Sequence, residues 1–519
     1  MTRRLAFPVA MFAVVFGLLL TWTVGTPLFG SPDEPAHLYK SYGTAHFEAI
    51  GEAMDESISN IRRFDVPEQM GQSPGIMCWV FQADASVACE TPGFAGAGES
   101  SAAVYPPFWY ALVGGGARLV GQETHQRWYR AMGALLCAVL IAVAFAVADR
   151  SRARRFSPLL LLALAPMTLF LAGTVNPNGF EIAGFVLLWV LCLHADHERA
   201  PTALGGTLVG AAVAVLLLSR FASALWVAAG AVVVAVAFGV DGVRRFLRRS
   251  FLVPALSISG AAVVALLAWS RYAGAQAEDP RIATDASARE VVRLSWERMP
   301  EYLRQMIGIL GWLDTRLPWF VYASFAVFTA VAIAGVVASR QPRLMVAALL
   351  TAAGLVAIPI VINVMSARSA GILWQGRYGL PLFAMFAWLG MLGWRAAADR
   401  RAERSDRTDQ ALRTNERIAA IVVASVAAVC FVVAEVAAFW QMLRRFSVGA
   451  NGKIWLDDPL PWQPAIAPIP LIVINSVLAV ALALVVSLRA LSPSAHDAGV
   501  VGLTAPSPVG AEPADPLTG

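Results

Sequence analysis

Apolar runs of roughly 17–23 residues recur along the chain up to about residue 490, with short polar segments between them. An α-helix needs about 20 such residues to cross the hydrocarbon core of a bilayer. Only helices and closed barrels satisfy their backbone groups there. We therefore predict an all-α fold, a polytopic transmembrane helical bundle of about 12 spans. The predicted spans are residues 5–25, 128–148, 157–173, 178–195, 203–219, 223–240, 251–269, 318–338, 343–362, 380–394, 417–439 and 467–488.

The polar segments between the runs predict which side of the membrane each loop occupies. Arginine is concentrated in four short segments, at 152–155, 244–249, 340–343 and 395–417. Such clusters mark the cytoplasmic side. With a cytoplasmic N-terminus, all four segments fall inside and the C-terminus is also cytoplasmic. The predicted organisation is a transmembrane domain over 1–490, extracytoplasmic loops at 26–127 and 270–317, a basic cytoplasmic loop at 395–417 and a disordered cytoplasmic tail at 491–519.

Two segments of the long outer loops have helical patterns of their own. Residues 105–120 are apolar, but the run is short and is interrupted by glycines 114–116. If it crossed the membrane, every later arginine cluster would lie outside, so we predict a re-entrant or interfacial segment. Residues 288–310 predict an amphipathic helix.

Composition agrees with a membrane protein. The 519 residues are 58% hydrophobic and 14% charged, with a mean hydropathy of +0.62 and a net charge of +5. Membrane topology and contact with anionic lipids explain the arginine clusters better than nucleic-acid binding does, so no nucleic-acid partner is expected. Cys78 and Cys89 share the first outer loop, where we expect an oxidising compartment and a disulfide. No metal-type Cys/His spacing is present.

Ionisable residues in or beside the spans all fall at outer helix ends in this topology. Charge inside a membrane is costly and usually functional. Long side chains that extend to the headgroups explain one or two such residues, but they explain a set of mixed sign poorly. The set is Asp33, Glu34, Arg127, Arg130, Glu181, Arg220, Arg271, Asp314, Arg377 and Glu435.

An acidic pair with a histidine follows the first span. Ser31 is suited to cap a helix over 32–53, and Asp33 and His37, four residues apart, would share one face of it. Asp33 and His37 could act as a general base with an orienting imidazole, or as two ligands of a divalent cation. A helix-capping acidic turn without chemistry is the alternative interpretation.

Five motifs in order resemble one family. The chain looks like a large bacterial membrane-protein family of unknown function that is grouped with the GT-C glycosyltransferases. Asn178 stands where that family usually has Asp. The motifs are 32–37 (PDEPAH), 105–110 (YPPFWY), 175–179 (VNPNG), 311–318 (GWLDTRLP) and 375–381 (QGRYGLP).

The resemblance implies a GT-C-like bundle that transfers a sugar from a polyprenyl phosphate to an acceptor at the outer face. It implies that the acidic pair supplies the catalytic carboxylate. We expect Asp33 as the base, assisted by Glu34 and oriented by His37. Arginines would bind the donor phosphate, with Arg377 and Arg271 ahead of Arg220. The remaining candidates for substrate binding are Asn176, Asn178, Glu181, Trp312, Asp314, Gln375 and Tyr378.

The expected partners are the lipid bilayer, a polyprenyl-phosphate sugar and an envelope glycan, lipid or protein acceptor. The expected location is the bacterial plasma membrane, with an extracytoplasmic active site. No cofactor is certain, and a divalent cation, Mg²⁺ or Mn²⁺, is left open. The alternatives are a transporter or flippase of a lipid-linked glycan, and a non-catalytic envelope assembly protein.

Overall fold

A computed structural model describes residues 2–54, 61–71, 74–90, 98–197, 201–274, 282–403 and 409–492. These residues form a bundle of α-helices with five very short strands. The helices are α1 Thr2–Gly25, α2 Glu34–Ala45, α3 Phe108–Leu119, α4 Gln126–Ala148, α5 Pro166–Ala172, α6 Pro177–His197, α7 Ala203–Leu217, α8 Ala222–Phe246, α9 Arg249–Tyr272, α10 Ala288–Glu297, α11 Met299–Gly308, α12 Trp319–Ser339, α13 Pro342–Ala370, α14 Leu380–Phe383, α15 Met385–Glu403, α16 Asp409–Val448 and α17 Pro468–Leu491. The strands are β1 Glu52–Ala53, β2 Arg62–Phe64, β3 Gly98–Ser100, β4 Ile309–Leu310 and β5 Thr315–Arg316.

Ten helical stretches of the described residues are long and apolar enough to cross a membrane. The protein is therefore a polytopic helical membrane protein, as the apolar runs predict. Each predicted span contains a helix, but two of them differ from a full crossing. Helix α7, predicted at 203–219, has 15 residues and rises only about 22 Å.

The other difference lies at the predicted span 157–173. A 3-10 segment at Arg154–Ala163 meets α5 there at a bend of 72°. Ala165 precedes Pro166 and has an extended backbone (ψ 153°), as residues before proline prefer. If this bent pair is one span, the described residues cross up to 11 times rather than 12.

We call the end of the bundle that carries Asp33 the motif end. Helix α2 begins there at Glu34 and ends at Ala45, so the predicted helix over 32–53 is too long at both ends. The amide of Glu48 donates to the carbonyl of Gly43 at 2.8 Å and turns the chain. The ring of Phe64, from β2, packs so closely on Gly43 that a Cβ there would lie 2.2 Å from it. Residues 52–53 instead form β1 of an antiparallel sheet ordered β1-β2-β3.

Helices α2 and α3 lie side by side and run in the same direction. His37 meets Tyr110 and Ala45 meets Arg118, and each pair is 73 residues apart. Both helices therefore begin at the motif end. With 12 residues, α3 rises only about 18 Å, so it is too short to cross the bilayer alone.

Two further predictions on secondary structure need correction. The amphipathic helix predicted at 288–310 is divided into α10 and α11. Pro300 lies at the start of α11, where its missing N–H and its ring prevent a continuous helix. The basic segment 395–417, predicted as a loop, is helical up to Glu403 and again from Asp409. Its Arg, Ala and Glu residues are good helix formers. The predicted tail lies outside the described residues apart from residues 491–492.

Cys78 and Cys89 form a disulfide in the first long loop, the pair expected from the sequence. Arg445 of α16 holds this loop against the bundle. Its guanidinium donates to the carbonyl oxygens of Trp79 at 2.7 Å and Ala85 at 2.6 Å. The loop is thus attached to the C-terminal part of the chain.

The contact between α2 and α3 predicts opposite effects for two neighbouring glycines. A Cβ at Gly114 would lie 2.1 Å from the carbonyl oxygen of Ser41, whereas a Cβ at Gly115 would meet nothing within 4 Å. Gly114→Ala should destabilise the protein by about 1–3 kcal/mol through overpacking. Gly115→Ala should stabilise it by up to about 1 kcal/mol because alanine favours helix. Equilibrium unfolding in detergent checks both, and equal effects would contradict this packing.

Candidate active site

Asp33 lies in a tight turn between α1 and α2, in the left-handed backbone region with φ 61°. The turn is held from the loop before α6. Thr174 Oγ1 donates to Ser31 Oγ at 3.0 Å, and Asn176 Nδ2 donates to the carbonyl oxygen of Pro32 at 3.1 Å. The neighbours of Asp33 in this turn are buried, but its own side chain is 41% exposed. The carboxylate is therefore the accessible group of the turn.

Arg377 approaches Asp33 from a 3-10 turn at Gly376–Gly379. Its Nη2 donates to Asp33 Oδ2, which joins residues 344 positions apart. A Cβ at Gly376 would lie 2.0 Å from the carbonyl oxygen of Tyr302, so this turn requires a glycine there. The Arg377 side chain is fully buried, and its Nε and Nη1 have no hydrogen-bond partner. The guanidinium thus has hydrogen-bond donors that could bind a ligand.

A second buried ion pair lies beside the first. Arg220 Nη1 donates to Glu181 Oε2 at 2.9 Å, and Ser223 Oγ donates to the other oxygen of Glu181 at 2.6 Å. The Arg220 Nε has no partner. The ring of Tyr378 links the two arginines, with its centroid 5.4 Å from the Arg220 Cζ and 5.3 Å from the Arg377 Cζ. Two guanidiniums therefore share one aromatic ring next to Asp33.

Near neutral pH, Asp33 is ionised whereas His37 is neutral. Although part of its side chain is exposed, the surrounding protein opposes ionisation of Asp33; Arg377, with a smaller contribution from Arg220, more than compensates, so the pKa of Asp33 lies below its ordinary value. Burial lowers the pKa of His37 to about 3, despite the nearby Asp33 carboxylate. His37 Nδ1 lies 2.9 Å from the Tyr110 hydroxyl. The site thus combines an ionised carboxylate with a neutral imidazole.

Glu34 is turned away from Asp33 and is fully engaged in a buried ion pair. Arg130 of α4 donates to both of its oxygens at 2.7 Å, and the amide of Val175 donates to Oε1 at 3.0 Å. Arg130 also donates to the carbonyl oxygens of Thr23, Thr26 and Pro27 at the end of α1. Glu34 therefore joins α1, α2 and α4, and it has no oxygen free for a substrate.

The family of predicted membrane proteins DUF2142 matches residues 16–386. The chain belongs to this family. The matched region includes Asp33, Arg220 and Arg377 and ends at the start of α15, so the DUF2142 match does not include α16 and α17. No curated protein sequence matches the chain.

Among solved structures, this DUF2142 protein is similar to the crystal structure of ArnT from Cupriavidus metallidurans in the apo state. The sequence identity is 15% and the TM-score is 0.44. The match covers 93% of this chain and 76% of the ArnT chain.

The other predicted site residues differ in burial and in hydrogen-bond partners. Asn178 begins α6 with a buried Nδ2 that has no partner, and its amide donates to Asn176 Oδ1 at 3.0 Å. Gln375 has a buried Oε1 without a partner. Arg271 ends α9 with an exposed side chain, and no contact between described residues joins it to Asp33 or Arg377. Its assignment to the phosphate stays a prediction from sequence.

Trp312 and Asp314 of the motif at 311–318 form hydrogen bonds to distant parts of the chain. Trp312 Nε1 donates to the carbonyl oxygen of Phe29 at 2.9 Å. Asp314 accepts from Arg445 Nη2 at 2.9 Å and from Thr315 Oγ1 at 2.7 Å. Through Phe29, Trp312 contacts the chain just before the turn that carries Asp33. A role in substrate binding remains untested for both.

Several residues of the site were given no role from the sequence. Tyr105 faces Arg220 at 5.9 Å, and Tyr110 binds His37. Both belong to the motif at 105–110, so the ordered motifs were a signal for them. Lys40 is buried over the rings of Tyr110 and Trp269 at 5.7 and 5.2 Å, and burial lowers its pKa to about 7. Its helical spacing from His37 also indicates a shared face.

The Glu34–Arg130 pair generates a stability prediction. Arg130→Met leaves Glu34 charged and unpaired in the interior, which should cost about 3–5 kcal/mol. Arg293→Met removes an exposed pair with Glu297 and should change stability by less than about 1 kcal/mol. The double variant Glu34→Met/Arg130→Met should recover part of the loss because no charge is left unpaired. Equilibrium unfolding measures all three, and equal losses for the two single variants would refute this role.

His37 predicts a pH dependence of stability. Its pKa is about 3 when folded and 6.5 in the unfolded chain, so between these values the unfolded chain binds more protons. Stability should therefore fall as the pH drops below about 6.5, with a slope of up to about 1.4 kcal/mol per pH unit. His37→Gln should reduce the slope, whereas His125→Gln, at an exposed position, should leave it unchanged. Unfolding measured between about pH 7 and pH 5 tests this. An unchanged slope in His37→Gln would contradict the neutral imidazole.

Proposed function

We propose that this protein is a membrane glycosyltransferase-like enzyme. It transfers a sugar from a polyprenyl-phosphate donor to a cell-envelope acceptor at the extracytoplasmic face of a bacterial plasma membrane. The observation that carries this proposal is the pairing of Asp33 with Arg377 across 344 residues, at the end of a membrane bundle. The five ordered motifs resemble a family that is grouped with the GT-C glycosyltransferases, and this grouping supports the same reaction class.

The pair suits the two halves of an inverting transfer. The bond between the sugar C1 and the phosphate oxygen breaks, and its electron pair leaves with the polyprenyl phosphate. A new bond forms between C1 and the acceptor oxygen, whose proton passes to the Asp33 carboxylate. Arg377 stabilises the charge that develops on the departing phosphate. Asp33 is half-exposed and ionised, as a proton acceptor must be.

The site has buried hydrogen-bond donors without acceptors, which supports an anionic sugar donor. Arg377 Nε and Nη1, Arg220 Nε and Asn178 Nδ2 are all buried without partners. Buried polar groups in proteins are nearly always hydrogen-bonded, so such a group of donors calls for a ligand rich in acceptor oxygens. A phosphate has such oxygens, and guanidinium is suited to it. The buried Gln375 Oε1 and the ring of Tyr378 are available for a sugar hydroxyl and a sugar face.

The residues at the site do not suit a divalent cation well. Magnesium and manganese prefer several oxygen ligands. Both oxygens of Glu34 are taken by Arg130, and Asp33 is paired with Arg377. Within the described ranges, no group of three or more His, Cys, Asp or Glu side chains is placed to hold a metal. The transfer described above therefore assigns every role to protein side chains.

A flippase of lipid-linked glycans is the alternative, and one observation favours it. The bent pair at Arg154–Ala163 and α5 is a discontinuous segment within the bundle, and such segments form binding sites in transporters. Its residues from Phe156 to Ala172 are buried and mostly apolar, with only the hydroxyls of Ser157 and Thr168 as polar side-chain groups and no charged group for a cargo. The enzyme is therefore the better supported function.

Turnover by purified protein tests the proposal. The full chain in lipid nanodiscs is incubated with a panel of polyprenyl-phosphate sugars and envelope acceptors. Asp33→Asn should lower the rate by about 10²–10⁴-fold because it removes the base, and Arg377→Gln should lower it by about 10²-fold or more. Asp65→Asn and Arg368→Gln change exposed residues of the same types and should retain the full rate.

Two outcomes would overturn the proposal. One is the absence of turnover for every donor by a folded protein. The other is equal turnover by Asp33→Asn and the unchanged chain. Transport of a fluorescent lipid-linked sugar without its hydrolysis or transfer would favour the flippase instead.

A further inference from the structure

Arg377 binds Asp33 through Nη2 and interacts with the Tyr378 side chain, whereas its Nε and Nη1 have no hydrogen-bond partner. The whole Arg377 side chain is buried. A buried guanidinium rarely leaves two of its three nitrogens unsatisfied. Arg130 shows the alternative in the same molecule, because all three of its nitrogens have acceptors. Arg377 is therefore arranged to take a further anion.

The shape of the guanidinium determines how that anion can bind. Oxyanions bind arginine best through two parallel N–H groups. One such fork combines Nε with Nη2, and the other combines Nη1 with Nη2, so both forks include Nη2. In this structure Asp33 already holds Nη2. Nη2 has one N–H in each fork, so a phosphate on one fork displaces Asp33, and a phosphate on the other shares Nη2 with it and places two anions on one guanidinium.

We infer that the donor phosphate and the Asp33 carboxylate compete for the guanidinium of Arg377, so that binding of the donor releases Asp33 to accept the acceptor proton. The inference rests on the proposed function and adds a coupling between donor binding and the base. Before the donor binds, Arg377 keeps the pKa of Asp33 below its ordinary value, which makes the carboxylate a weak base. A phosphate on Arg377 neutralises that influence and adds negative charge nearby, and both effects strengthen the base.

The charge balance of the site makes this coupling strong. Two guanidiniums, Arg220 and Arg377, face two carboxylates, Glu181 and Asp33. Among the titratable neighbours, His37 is neutral, and the Tyr110 and Tyr378 hydroxyls are neutral as well because burial disfavours their ionised form. The resting site thus has no net positive charge with which to attract a phosphate. Asp33 must then weaken phosphate binding, and by linkage the phosphate must weaken the hold of Arg377 on Asp33 by the same factor.

Phosphate affinity tests the inference without any turnover. The probe is farnesyl phosphate, a short polyprenyl phosphate, and farnesol is the uncharged control. Asp33→Asn should bind farnesyl phosphate about tenfold to hundredfold more tightly, because the Arg377 guanidinium no longer donates a charge-assisted hydrogen bond to a competing carboxylate. Asparagine tolerates the left-handed backbone at this position. Asp65→Asn, at an exposed position, should change the affinity less than about twofold.

A double-mutant cycle shows whether the effect passes through Arg377. The increase in affinity caused by Asp33→Asn should disappear in the Arg377→Gln background, since no guanidinium is left to compete for. Asp33→Gly, which also tolerates this backbone, repeats the test if Asp33→Asn does not fold. Thermal unfolding of each variant establishes that it is folded.

The outcomes separate the inference from the proposed function. If the protein binds farnesyl phosphate more tightly than farnesol, but Asp33→Asn does not increase the affinity, the inference fails and the proposed function stands. The inference also fails if the increase persists in Arg377→Gln. If neither the unchanged chain nor Asp33→Asn distinguishes farnesyl phosphate from farnesol, the lipid-phosphate donor itself is wrong.

Discussion

The motif end depends on one constraint, which is that a charge buried in a membrane bundle needs a partner of opposite sign. Four buried arginines satisfy it with carboxylates from distant parts of the chain, and each pair draws two elements together. The pair Glu34–Arg130 joins α2 to α4, and through the carbonyl oxygens that Arg130 binds it also fixes the end of α1. The pairs are Arg130–Glu34, Arg220–Glu181, Arg377–Asp33 and Arg445–Asp314. The breaking of any of them leaves an uncompensated charge.

Under this constraint the adjacent acids Asp33 and Glu34 have different roles, one at the candidate site and one in holding the fold. Glu34 has both oxygens bound and is buried, so its charge serves to hold the turn. Asp33 occupies the left-handed position, and its side chain is 41% exposed. The fixed turn presents Asp33 to Arg377, whose remaining donors are unpaired. Consecutive residues therefore differ in role because the turn directs them to opposite environments.

The sequence predicts the helices from the length of the apolar runs, and the ordered motifs indicate that Asp33 and Arg377 belong to one site. It does not predict which acid is buried, since that depends on Arg130 reaching Glu34 from α4. The early end of α2 is equally non-local, because Phe64 from β2 packs on Gly43. The bend before Pro166 has a local signal, which a search for apolar runs alone overlooks.

The C-terminal helices lie beyond the DUF2142 match, yet their side chains complete the motif end. Arg445 of α16 neutralises Asp314, which belongs to the motif at 311–318, and it also holds the disulfide loop. Glu435 of α16 accepts from Trp22 Nε1 at 2.7 Å, and Asn475 of α17 binds the same oxygen at 3.2 Å. Without α16, Asp314 would be a buried carboxylate without its guanidinium, and α1 would lose a buried hydrogen bond just before the turn that carries Asp33. Helices α16 and α17 are therefore part of the same folded unit as the family region, and the geometry of the site depends on them.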